Sequence, residues 1–151
     1  MDHTGFLVGN LTLDLAIFAW FVAQVIKTVL HFVVNRNLDL KRMVGSGDMP
    51  SSHSAFVCAA TMSIGQVCGW RDPMFSLSAA MALVVMYDAC NVRRCAGEQA
   101  KVLNYVIEHW KDMPEEMKRK RLNENLGHTL PQVIAGAVLG SVIGLAGPVI
   151  L

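Results

Sequence analysis

Gly47-Asp48-Met49-Pro50-Ser51-Ser52-His53-Ser54 stands between two apolar segments and sets how both are read. Proline suits the first helical position, where its missing N–H would have no intrahelical partner, so a helix is expected to open at Pro50. Ser51, Ser52 and Ser54 bring hydroxyls to that first turn. A helix start also carries free amide N–H groups and a partial positive charge, which together favour phosphate. His53 adds a side chain that can exchange a proton near neutral pH. The stretch reads as a phosphate site at the start of a membrane helix. The plainer alternative is an ordinarily capped helix with an incidental histidine.

The segment before it runs from Leu11 to Val34, long enough to cross a bilayer as a helix, which takes about 20 residues. Gln24 and Lys27 interrupt it, three apart and so on one helical face. A lysine inside a span either faces a polar interior or lets its ammonium reach the interface. After the quoted stretch a second helix is expected over residues 51–68. Its Ala, Ser, Thr, Cys and Gly content suits close packing in a membrane. Gly69-Trp70-Arg71-Asp72-Pro73 is a turn with an interfacial tryptophan. A third apolar block covers 74–90, followed by an amphipathic helix over 91–110 and a charged excursion over 111–121, where Pro114 opens a short helix. The last block, 130–151, carries Gly136, Gly140 and Gly144 at four-residue spacing. That pattern lets helices approach closely, here inside the bundle, with self-association into a homo-oligomer as the alternative use.

The 151 residues form one domain, 1–151, and 53% of them are hydrophobic while 17% are charged. Soluble domains carry about 25% charged residues, so composition and blocks together predict an all-α integral membrane bundle. About four spanning helices are expected, plus the amphipathic or re-entrant one. A net charge of +1 gives no reason to expect nucleic acid. Cys58, Cys68, Cys90 and Cys95 form no CxxC pair and read as thiols in helix packing, not as a zinc site or disulfide framework.

Basic residues cluster after the first block (Arg36, Lys41, Arg42) and after the third (Arg93, Arg94, Lys101, Lys111 and the run 118–121). Only Arg71 lies between the second and third blocks. The positive-inside rule then places the N-terminus outside and both basic connections in the cytoplasm. With no cleavable signal pattern at the start, a bacterial inner membrane is the expected location. The polar residues of interest, Lys27, Arg42, Ser51, Ser52, His53, Asp88, Arg93, Arg94 and His128, collect at the cytoplasmic side.

Two histidines and several cations are what phosphate-ester cleavage requires. One imidazole can attack phosphorus, and the other can protonate the leaving alcohol. Lysine, arginine and helix amides can hold the equatorial oxygens. Such a scheme needs no metal or other cofactor.

Three ordered motifs carry a resemblance over nearly the whole chain. They are Gly-Asp-Met-Pro-Ser-Ser-His-Ser-Ala (47–55), Met-Tyr-Asp-Ala-Cys-Asn-Val-Arg-Arg (86–94) with Gly97-Glu98-Gln99-Ala100, and Leu-Gly-His-Thr (126–129) with Val133 and Gly136. Together with Gln24 and Lys27 they resemble the divergent type-2 phosphatidic acid phosphatase family, a group related to acid phosphatases and vanadium-dependent haloperoxidases. The resemblance implies a lipid phosphate phosphatase acting on a phosphomonoester or diphosphate lipid. Phosphatidylglycerol phosphate, phosphatidic acid and polyprenyl diphosphate are the candidate substrates. It implies His128 as nucleophile and His53 as general acid. Lys27, Arg42, Ser51 and Ser52 would hold phosphate, and either Arg93 or Arg94 would supply a further cation despite lying far upstream of His128. Asp88 would orient one of these groups.

The family commonly reads His-Thr-Pro-x-Glu-Val, whereas this chain reads His128-Thr129-Leu130-Pro131-Gln132-Val133. Gln132 thus stands where an acid would orient His128. It can accept a hydrogen bond but supplies no charge. Either Asp88 or Glu124 substitutes, or activity falls. The competing class is a non-catalytic membrane protein that binds anionic lipid phosphate. A small oligomeric channel has only the glycine spacing behind it.

Overall fold

The computed structural model describes residues 5–36 and 49–150. Arg42, one of the expected phosphate ligands, lies outside the described residues. Six α-helices are described: α1 (Leu11–Asn35), α2 (Ser52–Cys68), α3 (Pro73–Tyr87), α4 (Arg93–His109), α5 (Glu115–Lys118) and α6 (Leu130–Ile150).

The helix ends follow local chemistry. Asn10 caps α1 by accepting the Leu13 N–H at 3.1 Å. Asp14, fully buried in the first turn, accepts the N–H groups of Leu7 (2.7 Å) and Val8 (3.0 Å), folding the preceding chain back over the helix. Pro73 opens α3 at the position where proline suits a helix, with Asp72 as its cap. Pro50, by contrast, does not open α2. Ser51 is the cap, its hydroxyl accepting the Ser54 N–H at 3.3 Å, and the helix starts one residue later. A serine oxygen can satisfy a free amide of the first turn, and proline has nothing to offer there.

The expected break between the third apolar block and the amphipathic helix is absent. Pro73–His109 is one helical run of 37 residues. It passes through a π-helical turn at Asp88–Val92 without ending. No proline or glycine occurs between Met74 and Ala96, so the shift from apolar to charged residues near Asn91 marks a change of surroundings and not a helix end. At 1.5 Å per residue the run spans about 55 Å, well beyond a hydrocarbon core of about 30 Å.

Among the described residues, three helical runs are long and apolar enough to cross a membrane, Leu11–Val34, Pro73–His109 and Leu130–Val149. The fourth apolar helix, α2, has 17 residues and is the one the others surround. It packs most extensively against α6, then α1, then α3. Its neighbours approach closely because the facing residues are small. Ala19 and Ala23 of α1 meet Ala55 and Ala59 of α2, with Leu139 and Ile143 of α6 closing the cluster. Gly136, Gly140 and Gly144 lie against the backbone carbonyls of Ser51, Ala55 and Ala59 in turn. The glycine ladder is thus spent inside the bundle. Large apolar side chains such as Phe21, Val29, Leu77, Leu83 and Val138 point outward. So much outward apolar surface is stable only against lipid. Of the four cysteines only Cys58 is buried; Cys68 and Cys95 are exposed and Cys90 is intermediate. The packing role expected of all four therefore holds for one.

Candidate active site

The π turn is the local feature from which the site is built. In a regular α-helix the Ala89 carbonyl would take the N–H of Arg93. Here the Arg93 N–H goes to the Asp88 carbonyl, five residues back. The Ala89 carbonyl accepts the His128 N–H at 2.9 Å. Such π turns recur at functional sites. A second main-chain bond joins α2 to α6, from the Ser51 N–H to the Gln132 carbonyl at 3.0 Å. Gly127 makes the approach feasible. Its φ of +83° is one that other residues rarely adopt, and a side chain there would overlap the backbone of Arg93 and Arg94. Residues far apart in sequence, His128 and the Arg93–Arg94 pair, are therefore held backbone to backbone.

His53 and His128 face each other edge to face, with ring centroids 6.2 Å apart. That is about two hydrogen-bond lengths, the span across which two imidazoles can address one phosphoryl group. His128 is only 3% exposed, while His53 is open at the surface. Lys27, 2% exposed, lies about 12 Å back from the end of α1 and is turned into the bundle with the equally buried Gln24. It does not reach out to the interface. The charges of Arg93, Lys27 and Asp88 all bear on His53. Asp88 holds the Arg93 side chain through a 2.6 Å ion pair.

The structure separates the two arginines. The Arg93 side chain turns to Asp88, on the histidine side. Arg94 lines a different cavity of about 460 Å³ with Cys90, Asn91, Cys95, Glu98 and Gln99. It serves the site through its backbone against Gly127. The first-turn serines lie inside the bundle. The buried Ser51 hydroxyl accepts both the Ser54 N–H and the Ser54 hydroxyl, the latter at 3.0 Å. Ser52 is buried beside them.

Gln132 has a role that was written in the sequence as Thr-x-x-Gln. Its side-chain oxygen accepts the Thr129 N–H at 2.8 Å, the reciprocal half of a capping box at the start of α6. Glu124 is likewise engaged, bonded by Asn104 at 2.7 Å and paired with Arg121 at 3.8 Å. Asn104 also binds Leu122 through both its carbonyl and its N–H, which lays the connection to His128 along α4. Since glutamate serves a capping box as well as glutamine, Gln132→Glu is expected to leave stability within about 0.5 kcal/mol. Gln132→Ala should cost about 1 kcal/mol, both read by thermal unfolding in detergent.

Residues 8–143 match the family described as "Divergent PAP2 family". An uncharacterized membrane protein, YuiD, of Bacillus subtilis (strain 168) is 38% identical over 149 residues, covering 92% of this chain and 94% of that protein. No solved structure matches.

Proposed function

The chain belongs to the divergent PAP2 family, and from that footing we propose that it hydrolyses a phosphate ester or diphosphate on a membrane lipid through a phosphohistidine. The observation that carries this reading is the facing pair His53 and His128, with ring centroids 6.2 Å apart and the charges of Arg93 and Lys27 acting on His53.

In this scheme a nitrogen of His128 attacks phosphorus. A P–N bond forms as the P–O bond to the lipid breaks. His53 delivers a proton to the departing oxygen, then takes one from the water that cleaves the P–N bond and frees phosphate. Lys27 and Arg93 bind the equatorial oxygens, where negative charge is held through the transition state. Asp88 positions Arg93. The expected orientation is with the site toward the cytoplasm of a bacterial inner membrane, following the distribution of Lys and Arg.

His53→Ala is expected to lower turnover of an alkyl phosphate by about 10²–10⁴-fold. In kcat/KM, which reads only the steps through P–O cleavage, nitrophenyl phosphate, whose leaving group needs no proton, should lose far less; equal losses in kcat/KM on both would remove His53 as the acid.

A second reading is favoured by Gln132, which caps α6 and supplies no charge where the family commonly has an acid. In it the protein binds lipid phosphate without cleaving it. The deciding experiment is phosphate release by purified protein in detergent with chelator present. The panel contains phosphatidylglycerol phosphate, phosphatidic acid and polyprenyl diphosphate. Release supports the phosphatase. Saturable binding with no release on any substrate supports the binder.

A further inference from the structure

His53 sits at one end of an apolar groove. Ile17 and Trp20 of α1 form one wall, Val85 of α3 the other, and Phe56 and Val57 of α2 the floor, around about 410 Å³ of space. Phe56 and Val57 also open a second cavity of about 240 Å³, which continues past Ala60 and Ile64 between α2 and the Leu77 and Met81 side chains of α3. The two share Phe56 and Val57 in their lining, and their α2 residues follow one another from His53 to Ile64. Along α2 that is about 16 Å, roughly half the hydrocarbon thickness of a bilayer.

The walls are apolar along this length because the polar side chains in them are spent on backbone. Thr61 donates to the carbonyls of Val57 (2.8 Å) and Ser78 (3.1 Å), and Ser78 donates to the Phe75 carbonyl at 2.9 Å. Leu77 and Met81 are exposed on the outer surface, so the groove opens sideways toward lipid. Its other end is cationic, with Lys27 and Arg93 acting at His53. A hydrocarbon floor with positive charge at one end matches one kind of occupant, a single hydrocarbon chain ending in a phosphate.

We propose that this groove binds one hydrocarbon chain of the substrate lipid, entering sideways between α1 and α3, and that Ala60 sets how long a chain fits. The proposal rests on the lipid phosphatase reading for the place of the phosphate, but the groove can be tested without turnover. Ala60 lies two turns below His53, where a larger side chain would close the path to long chains and leave room for short ones.

Two measurements are made on the purified full chain in detergent. First, kcat/KM is compared for tetradecyl and hexyl phosphate. Ala60→Phe is expected to lower the tetradecyl-to-hexyl ratio at least about tenfold, since burying even two methylenes fewer costs that much. An unchanged ratio overturns the proposal. Second, tetradecyl phosphate brominated along its chain is titrated while tryptophan fluorescence is read. Quenching is expected that unbrominated ligand reverses and that disappears in Trp20→Phe. Turnover without such quenching overturns the groove and leaves the phosphatase standing. Quenching without turnover supports the groove and overturns the phosphatase. Quenching in wild type that Ala60→Phe weakens for the tetradecyl ligand supports the assignment of Ala60 even where no product forms.

Discussion

His128→Ala is expected to lower lipid phosphate turnover by on the order of a thousandfold or more while the protein remains folded. The fold should survive because the backbone N–H of residue 128 keeps its bond to the Ala89 carbonyl, 2.9 Å in the wild type. What is lost is the imidazole whose ring centroid lies 6.2 Å from that of His53. Two readouts separate this from simple damage. The wild type should carry an acid-labile, base-stable phosphoryl group on brief mixing with substrate, and the variant should carry none. Added imidazole should restore part of the rate by standing in for the missing ring. A variant with full turnover would exclude His128 as the nucleophile and move attention to His53.

Gly140→Val is expected to destabilise the bundle by about 3 kcal/mol or more, a large share of the about 5–15 kcal/mol that holds a small domain folded. A Cβ at Gly140 would overlap the Ala55 carbonyl oxygen, and its next contacts are also Ala55 backbone. Side chains relax by changing rotamer; two packed helix backbones can only move apart. Separation would also break the contacts at Gly136 and Gly144, and with them the Ser51 N–H bond to the Gln132 carbonyl that brings α6 to the site. The yield of monodisperse protein and its unfolding temperature in detergent are the measurements. Val138→Ala, on the exposed face of α6, is the matched control and should change either little.

Much of the architecture is legible because lipid enforces a simple rule. A spanning backbone must satisfy its own hydrogen bonds, so each apolar block becomes a helix. The first block, Leu11 to Val34, coincides with the span in the structure. The glycine spacing likewise announces a close approach, and the partner is α2. What composition could not show is where a helix ends when charge changes without a breaker, hence the unbroken run from Pro73 to His109.

At the site, the residue types were visible but the links between them were not. His53 and His128 can be picked out by chemistry. Nothing in the side chains around Ala89 signals that its carbonyl binds His128, because that bond is made by main chain. The choice between Arg93 and Arg94 depends on helical phase, which the π turn shifts. Gln132 carries two signals. Reading it as a replaced acid looked only toward His128, while the Thr129-x-x-Gln132 capping signal pointed the other way along the same helix.

The π turn has a consequence for how this sequence can vary over time. A π turn is a helix that holds one residue more than the α repeat needs. Losing one residue from 89–92 would return the turn to regular α-helix and offer the Ala89 carbonyl back to its own helix, taking it from the His128 N–H. Substitutions at Cys90 or Asn91, whose side chains are at or near the surface, disturb none of this. Across related chains the number of residues from Asp88 to Arg93 should therefore drift far less than their identities, and a single-residue deletion there should be harsher than any single replacement.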